Sequence, residues 1–441
     1  MNFEGKRAAV LGLGSSGEAA GRLLQVHGAQ VTILDSGTPD PERVRSLQRL
    51  GISVITGQSA DVTEANYDLS VLSPGIDPSV PIVQNFIRQG ASFTGELELA
   101  SRFCERPIVA ITGTNGKTTT TQLIESMLNA GGLRTLACGN IGTPFAEAVQ
   151  WQEKFDIFTV EVSSFQLETI STFRPNVAVW LNLTPDHLDR YPSMEEYRAA
   201  KLRIFENQRA TDYAITNYVD DLPPLAARQI RFSAYSKDSD LTLESDMIHF
   251  RGKPVLNIAE TNLRGVHNAE NLMAALGTAY ALNLSWEDTK PGLKKYRLLP
   301  HRCEQVGEID GVKFINDSKA TNLDALVKAL ESQSCPVVLL AGGKDKGFQF
   351  DAVEDLVQAK VKHAVLIGEM ADRIFKSWSK VVPCTIANTL RAAVTEARRQ
   401  SEPGYVVLFS PGTSSFDMFK SYADRGNQFR EIIQELTGES V

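Results

Sequence analysis

The stretch Ile111-Thr-Gly113-Thr-Asn-Gly116-Lys117-Thr118-Thr119-Thr120 decides how this 441-residue chain is read. It follows the short apolar, β-branched run Ile108 to Ile111 and leads into a helical pattern, so it predicts a strand, a glycine turn and a helix N-terminus. A turn of that kind aims backbone N–H groups and the positive end of a helix at one point, which is how proteins cradle phosphates. Lys117 would neutralise phosphate oxygens there, and the Thr118 hydroxyl would reach a magnesium ion. The segment departs from the strict phosphate-loop pattern, because Ile111 stands where the first glycine belongs and the nearest glycine is Gly113. A plain structural turn is the alternative; the strand before and the helix after favour phosphate binding.

The next strands belong to the same sheet and bring further polar groups to its edge. Phe158-Thr-Val-Glu161-Val runs into Ser163-Ser164-Phe165-Gln166, which puts a carboxylate at the C-terminal end of an apolar strand. A magnesium ligand is the natural role for Glu161, since a lone buried carboxylate is costly without a partner. Val177 to Leu181 is followed by Asn182-Leu-Thr184-Pro185-Asp186-His187-Leu-Asp189-Arg190, where His187 suits a second metal or a phosphoryl group, or is a satisfied structural histidine. A helix over Met194 to Phe205 carries Lys201 after two alanines. It is either an unusual buried and paired lysine or a surface lysine laying its stem on apolar ground.

Outside this centre the chain alternates strand and helix twice more. At the N-terminus, strand Ala8 to Leu11, turn Gly12-Leu-Gly14-Ser-Ser-Gly17, a helix to about His27 and strand Val31 to Asp35 form a βαβ opening with the dinucleotide-type glycine pattern and an acidic residue at the second strand end. At the C-terminus, strands at Lys313 to Ile315, Val337 to Ala341, Ala364 to Ile367 and Val406 to Phe409 are followed by runs of lysines and hydroxyls that suit an anionic ligand with carboxylates. Ser73-Pro74-Gly75 and Ser410-Pro411-Gly412 both follow buried-looking strands, where open α/β sheets bind ligands. Between residues 230 and 262 the pattern becomes antiparallel, and Tyr296 to Pro300 reads as a linker. The fold expected is α/β with three domains: a Rossmann-like domain over 1–95, a central P-loop-type ATPase domain over 96–300 with a mainly parallel sheet plus a small antiparallel sheet, and a Rossmann-like domain over 301–441.

Composition narrows the function. A formal charge of −8 argues against nucleic acid as a partner. No apolar run approaches the roughly 20 residues that a bilayer span needs. Five scattered cysteines without CxxC spacing, and a start unlike a signal peptide, lead to the expectation of reduced thiols and a cytoplasmic protein. A nicotinamide oxidoreductase using the Gly12 turn leaves Lys117, Glu161 and the C-terminal anion-binding segments without a task. A non-catalytic ATP-switched binding protein does not need Lys201 and His187 placed as they are.

Taken with His267-Asn268, Asn271, His301-Arg302, Asn316-Asp-Ser-Lys319-Ala-Thr-Asn322 and Ser410-Pro-Gly-Thr-Ser-Ser-Phe-Asp417, these motifs resemble the Mur ligases along the whole chain. These are ATP-dependent amide-bond-forming enzymes of peptidoglycan precursor synthesis; the Ser-Ser-Phe-Gln and Ser-Ser-Phe-Asp runs are similar to the D-glutamate-adding branch. Ligases adding another amino acid, or glutamate to folate, are the near alternatives. The resemblance implies ATP and two magnesium ions as cofactors, and UDP-N-acetylmuramoyl-alanine and D-glutamate as substrates. It also implies a monomer and a reaction through an acyl phosphate and a tetrahedral intermediate.

The resemblance also implies roles residue by residue. Gly113, Thr114, Asn115, Gly116, Lys117, Thr118, Thr119, Asn271, Arg302 and Asp317 would bind ATP. Thr118, Glu161, His187 and Lys201 would hold metal, with Lys201 carbamylated, and Lys319 would lie near the reacting phosphate. Gly14, Ser15, Asp35, Ser73, Gly75, Asn140, Gln166 and His187 would meet the UDP-sugar; Thr321, Lys346, Ser415, Phe416 and Tyr422 would meet D-glutamate.

Overall fold

Three β-sheets carry the chain in the computed structural model, which describes residues 3–188, 190–297, 299–345 and 348–437. The first is parallel, ordered Ser53–Thr56, Gln30–Asp35, Arg7–Leu11, Leu69–Leu72, Phe93–Gly95. Ala8 to Leu11 are all buried, as a central strand covered on both faces must be. The order reverses at Arg7–Leu11, beside the Gly12–Gly17 turn, which is the position where such sheets open a crevice. Gly17 has a steric reason: a Cβ there would stand 1.9 Å from the Gly12 carbonyl oxygen.

The second sheet has nine strands, ordered Lys253–Asn257, Met247–Phe250, Leu241–Glu244, Arg228–Ser233, Tyr213–Asn217, Val177–Trp180, Ile108–Thr112, Ile157–Glu161, Thr135–Gly139. The antiparallel excursion expected after residue 230 is its far edge: Leu241–Glu244 pairs parallel with Arg228–Ser233, and the last two strands then run antiparallel. Ile108–Thr112 is wholly buried between Ile157–Glu161 and Val177–Trp180, with Ile111 opposite Glu161 and Thr112 opposite Trp180. That register makes the phosphate-type loop, Glu161 and the Asn182 segment leave the sheet side by side.

The third sheet is ordered Glu304–Ile309, Val312–Asn316, Val406–Phe409, Val337–Gly342, Val361–Ile367, Cys384–Ile386, antiparallel only at its first pair. Successive residues face opposite layers: Leu339 and Leu366 pack with Trp378 on one side, Leu340 and Val365 with Phe429 on the other. Asn316 and Leu340 both flank Phe409, so the loops that follow these three strands emerge at one edge.

By packing, the chain forms two compact units, one of Met1–Leu183, Glu195–Thr261 and Asn268–Tyr296, the other of Thr184–Met194, Asn262–His267 and Arg297–Val441. In the first, Val10 and Leu23 share one apolar core with Leu97, Phe145, Phe158 and Trp180. Among the described residues no helix is long and apolar enough to cross a membrane.

Glu98, on the helix Glu96–Phe103, fastens the first sheet to the second. Its fully buried carboxylate accepts the amides of Ser171 (2.9 Å), Thr172 (3.0 Å) and Phe173 (2.9 Å), the Thr172 hydroxyl (2.6 Å) and Arg102 Nε (2.9 Å). Burial works against its charge, but these donors outweigh burial and lower its pKa from 4.5. Its contribution to stability is therefore complete above the unfolded value and lost as pH falls through the lower folded one. Glu98→Ala, which strands five donors, is expected to cost about 3 kcal/mol in urea unfolding at pH 7. The gap from wild type should narrow when the titration is repeated in acid.

Candidate active site

The loop after Ile108–Thr112 turns on two glycines with positive φ, Gly113 at 156° and Gly116 at 84°. A Cβ on Gly116 would stand 2.5 Å from Asn271 Oδ1, so the helix Lys117–Ala130 begins where only glycine fits. Asn182 clamps the loop: its carbonyl accepts Thr114 N–H (2.9 Å), its side-chain oxygen accepts Asn115 N–H (2.9 Å), and its Nδ2 donates to Asn115 O (3.0 Å). Two of the amides expected to face phosphate are thus committed to the protein, whereas the first-turn amides from Gly116 to Thr119 have no intrahelical acceptor. Asn182 is a site residue the sequence reading did not single out; a polar side chain directly after a buried strand was its signal.

Asn271 reaches the helix that follows the loop, accepting from Thr120 Oγ1 (3.1 Å) and donating to Asn268 Oδ1 (3.2 Å). Lys117 folds over the loop, its Nζ donating to Gly113 O (2.9 Å) and Thr114 O (2.8 Å). Lys201 is 1% exposed, which settles the two readings of it in favour of burial. Its ammonium donates to the same Gly113 oxygen (2.8 Å) and lies 4.6 Å from the centre of the Tyr197 ring. Two lysine ammonium groups therefore meet on one carbonyl.

Glu161, at the adjacent strand end, is 2% exposed. One carboxylate oxygen accepts Asn140 Nδ2 (2.9 Å), while the other is buried with no hydrogen-bond partner, as is the Thr112 hydroxyl. An orphaned carboxylate oxygen beside a phosphate-type loop fits a hard divalent cation. Among the described residues no three His, Cys, Asp or Glu side chains converge, so these residues form no carboxylate cage. Magnesium is held that way, through one or two carboxylates plus phosphate and water oxygens. Gln166 is buried, and its side-chain oxygen closes a capping box with Ser163.

In the first sheet, Asp35 and Ser73 hold the glycine turn. Asp35 accepts the amides of Leu13 (2.7 Å) and Gly37 (2.8 Å), and Ser73 Oγ donates to Gly12 O (3.2 Å). Gly14, Ser15 and Gly75 are exposed along the same edge.

In the second unit, His187 has a left-handed backbone (φ 57°), and its amide donates to Asp186 (2.9 Å), whose other oxygen accepts Asn322 Nδ2 (3.0 Å). Lys319 places its ammonium 3.8 Å from the centre of the Tyr422 ring. Asp317 accepts Ser410 Oγ (2.8 Å) and the Cys303 amide (3.1 Å); burial, opposed by these donors, pushes its pKa up to about 6. Arg302 is half-buried, Thr321 lies between Lys319 and the helix-capping Asn322, Ser415 is buried and Phe416 exposed. Lys346 lies outside the described residues.

Three family profiles cover the chain: Mur ligase MurD-like, N-terminal domain over residues 6–95, Mur ligase middle domain over 111–279, and Mur ligase, glutamate ligase domain over 301–412. The chain is 41% identical to the UDP-N-acetylmuramoylalanine--D-glutamate ligase of Geobacter metallireducens, covering 100% of both chains. It is 40% identical to the enzyme of the same name from Koribacter versatilis, covering 99% of both. Among solved structures it is similar to the UDP-N-acetylmuramate-alanine ligase of Thermotoga maritima, with a TM-score of 0.64 and 20% identity over 98% of this chain and 100% of that one. It is likewise similar to the MurF ligase of Thermotoga maritima in complex with ADP, with a TM-score of 0.60 and 15% identity over 100% of this chain and 96% of that one. The chain belongs to the Mur ligase family.

Gly116→Ala tests the loop geometry. Positive φ and the approach of Asn271 together should cost about 1–3 kcal/mol in urea unfolding. Hydrogen exchange should show that nucleotide no longer protects the amides of 116–119.

Proposed function

We propose that this ligase joins D-glutamate to UDP-N-acetylmuramoyl-alanine, converting ATP to ADP and phosphate, as a cytoplasmic, monomeric enzyme of peptidoglycan precursor synthesis. The full-length relatives bearing that name support the substrates. The observation that carries the chemistry is the meeting of Lys117 and Lys201 on Gly113 O beside the orphaned oxygen of Glu161. A lysine that opens a helix directly after a glycine turn is placed to meet the phosphates of a nucleotide triphosphate. We also read three domains, 1–95, 96–300 and 301–441, each on its own sheet.

In this reading the sugar nucleotide's carboxylate attacks the γ-phosphate of ATP, ADP leaves, and an acyl phosphate results. The amine of D-glutamate, having lost a proton, adds to the acyl carbon, and the tetrahedral intermediate expels phosphate. Direct condensation of a carboxylate with an ammonium is unfavourable in water, so the phosphoryl group supplies the leaving group.

Lys117 and the amides of 116–119 hold the phosphates, with Thr114 and Asn115 shaping the loop from behind. Asn271, Arg302 and Asp317 line the adenosine and phosphate site. Thr118, Glu161, His187 and Lys201 would hold magnesium, two ions in this reading, which when bound would supply positive charge to neutralise phosphate oxygens. Lys201 serves as a carbamate: carbon dioxide adds to its neutral amine and a proton leaves, replacing a cation with an anionic oxygen donor and removing its repulsion with Lys117. Gly14, Ser15, Asp35, Ser73 and Gly75 receive the nucleotide of the sugar, with Asn140, Gln166 and His187 along its path. Lys319 steadies the reacting phosphate, while Thr321, Lys346, Ser415, Tyr422 and the backbone at Phe416 take the two carboxylates of D-glutamate.

Phosphate release from ATP and magnesium should require both UDP-N-acetylmuramoyl-L-alanine and D-glutamate, within a panel of D-glutamate, L-glutamate, L-alanine, L-lysine and no amino acid. Release with another amino acid would reassign the third sheet's specificity. Lys117→Ala and Lys201→Ala should each lower turnover by about 10³-fold or more while leaving the protein folded by circular dichroism. Undiminished turnover in folded Lys201→Ala removes the carbamate.

A further inference from the structure

Arg425, in the first turn of the helix Tyr422–Thr437, is fully buried. A guanidinium this deep is ordinarily paired with a carboxylate, because a charge is costly to bury alone. Its bonds go elsewhere. Nε donates to Ser318 Oγ (2.9 Å), Nη2 to Ser318 O (2.8 Å) and Thr413 O (3.2 Å), and Nη1 to the carbonyls of Thr413 and Ser414 (3.3 Å each). Among the described residues no carboxylate comes within hydrogen-bond distance, and Asp417 and Asp317 act on it only through space. Burial pulls its pKa down to about 9, so it stays charged at neutral pH.

The acceptors belong to the loops already assigned to the amino acid. Ser318 stands between Asp317 and Lys319, three residues before Thr321, and its hydroxyl also donates to Tyr422 O (2.9 Å). Thr413 and Ser414 directly precede Ser415 and Phe416. Ser414 O also accepts Lys344 N–H (2.9 Å), which brings in the loop after Val337–Gly342. Gly343 leaves the room: a Cβ there would stand 2.2 Å from Ser414 O and 3.2 Å from Arg425 Nη1. One guanidinium therefore bonds two loops at one sheet edge and reaches a third through Ser414 O; its direct partners are carbonyl and hydroxyl oxygens, and Asp417 and Asp317 offset part of its charge through space.

We propose that Arg425 is a positioning residue for the amino-acid substrate: its fork sets the spacing of the Ser318–Thr321 and Thr413–Phe416 loops, and its charge, balanced only in part, favours a dicarboxylate at that edge. The inference rests on the reading of these loops as the D-glutamate site. Substrate does not touch the guanidinium, which acts through the backbone it holds and through its field.

The test is steady-state kinetics of the full chain carrying Arg425→Met, Arg425→Lys or Ser318→Ala, with KM measured separately for D-glutamate, ATP and the sugar nucleotide. Arg425→Met should raise KM for D-glutamate about tenfold or more and leave the other two within about twofold. Arg425→Lys, which keeps the charge without the fork, should recover part of the loss. Unchanged KM for D-glutamate, or an equal rise in all three, overturns the inference. Should Arg425→Met not fold, Ser318→Ala decides, because it removes one bond to Nε: a rise of about threefold confined to D-glutamate is expected. No selective rise overturns it. If wild type releases no phosphate with D-glutamate, the reading of the site fails first; wild-type activity with indifferent variants fails this inference alone.

Discussion

Two lysine ammonium groups bonded to one carbonyl oxygen are the constraint around which the central site is built. Lys117 and Lys201 reach Gly113 O at 2.9 and 2.8 Å. They lie within about 6 Å of one another, where like charges at an effective dielectric of about 20 repel by roughly 3 kcal/mol or more. The fold accepts this arrangement because each lysine comes from an element it cannot move: Lys117 opens the helix after the glycine turn, and Lys201 sits on a helix whose Tyr197 ring lies beneath its ammonium. In the reading proposed above, bound phosphates or a carbamate at Lys201 would lessen that repulsion. Glu161, with one oxygen held by Asn140 and the other without a donor, extends the same logic toward a divalent cation.

What aligns these groups is sheet register rather than sequence proximity. Ile111 opposite Glu161 and Thr112 opposite Trp180 fix where three loops begin, and Asn182 then ties the third of them back to the first. The third sheet repeats the device: three parallel strand ends release three loops at one edge, and Arg425 stands behind them as Asn182 stands behind the phosphate loop. In both places a polar side chain, half-buried in Asn182 and fully buried in Arg425, spends most of its hydrogen bonds on backbone and so fixes the loops it meets.

Much of this was legible in the sequence, for physical reasons. The parallel strands are short, β-branched and bounded by glycine, so their apolar runs and the turns after them stand out, and Gly113, Gly116, Lys117 and Glu161 fall at those turns. Asp35 and Ser73 were also visible, but their bonds to the glycine turn were not, because a side chain's partner 22 or 61 residues away leaves no periodic trace. The burial of Lys201 was ambiguous, since the same helical spacing serves a snorkelling lysine and a buried one. Asn182 stood out only as a polar residue directly after a buried strand, and Arg425 as one more charge in a polar run; their role is to meet loops from other strands, which only the register of the sheets decides. The antiparallel edge after residue 230 was apparent as alternation, whereas its attachment to the parallel sheet through a strand pair of two registered positions was not.

The account stands on phosphoryl transfer to the substrate carboxylate at this site, and isotope transfer reads that step directly. With the alanyl carboxylate of the sugar nucleotide labelled with oxygen-18, one turnover with ATP and D-glutamate should place a labelled oxygen in the released inorganic phosphate. Labelled oxygen found in a nucleotide monophosphate, or phosphate released without label, would contradict an acyl phosphate formed beside Lys117 and Lys201.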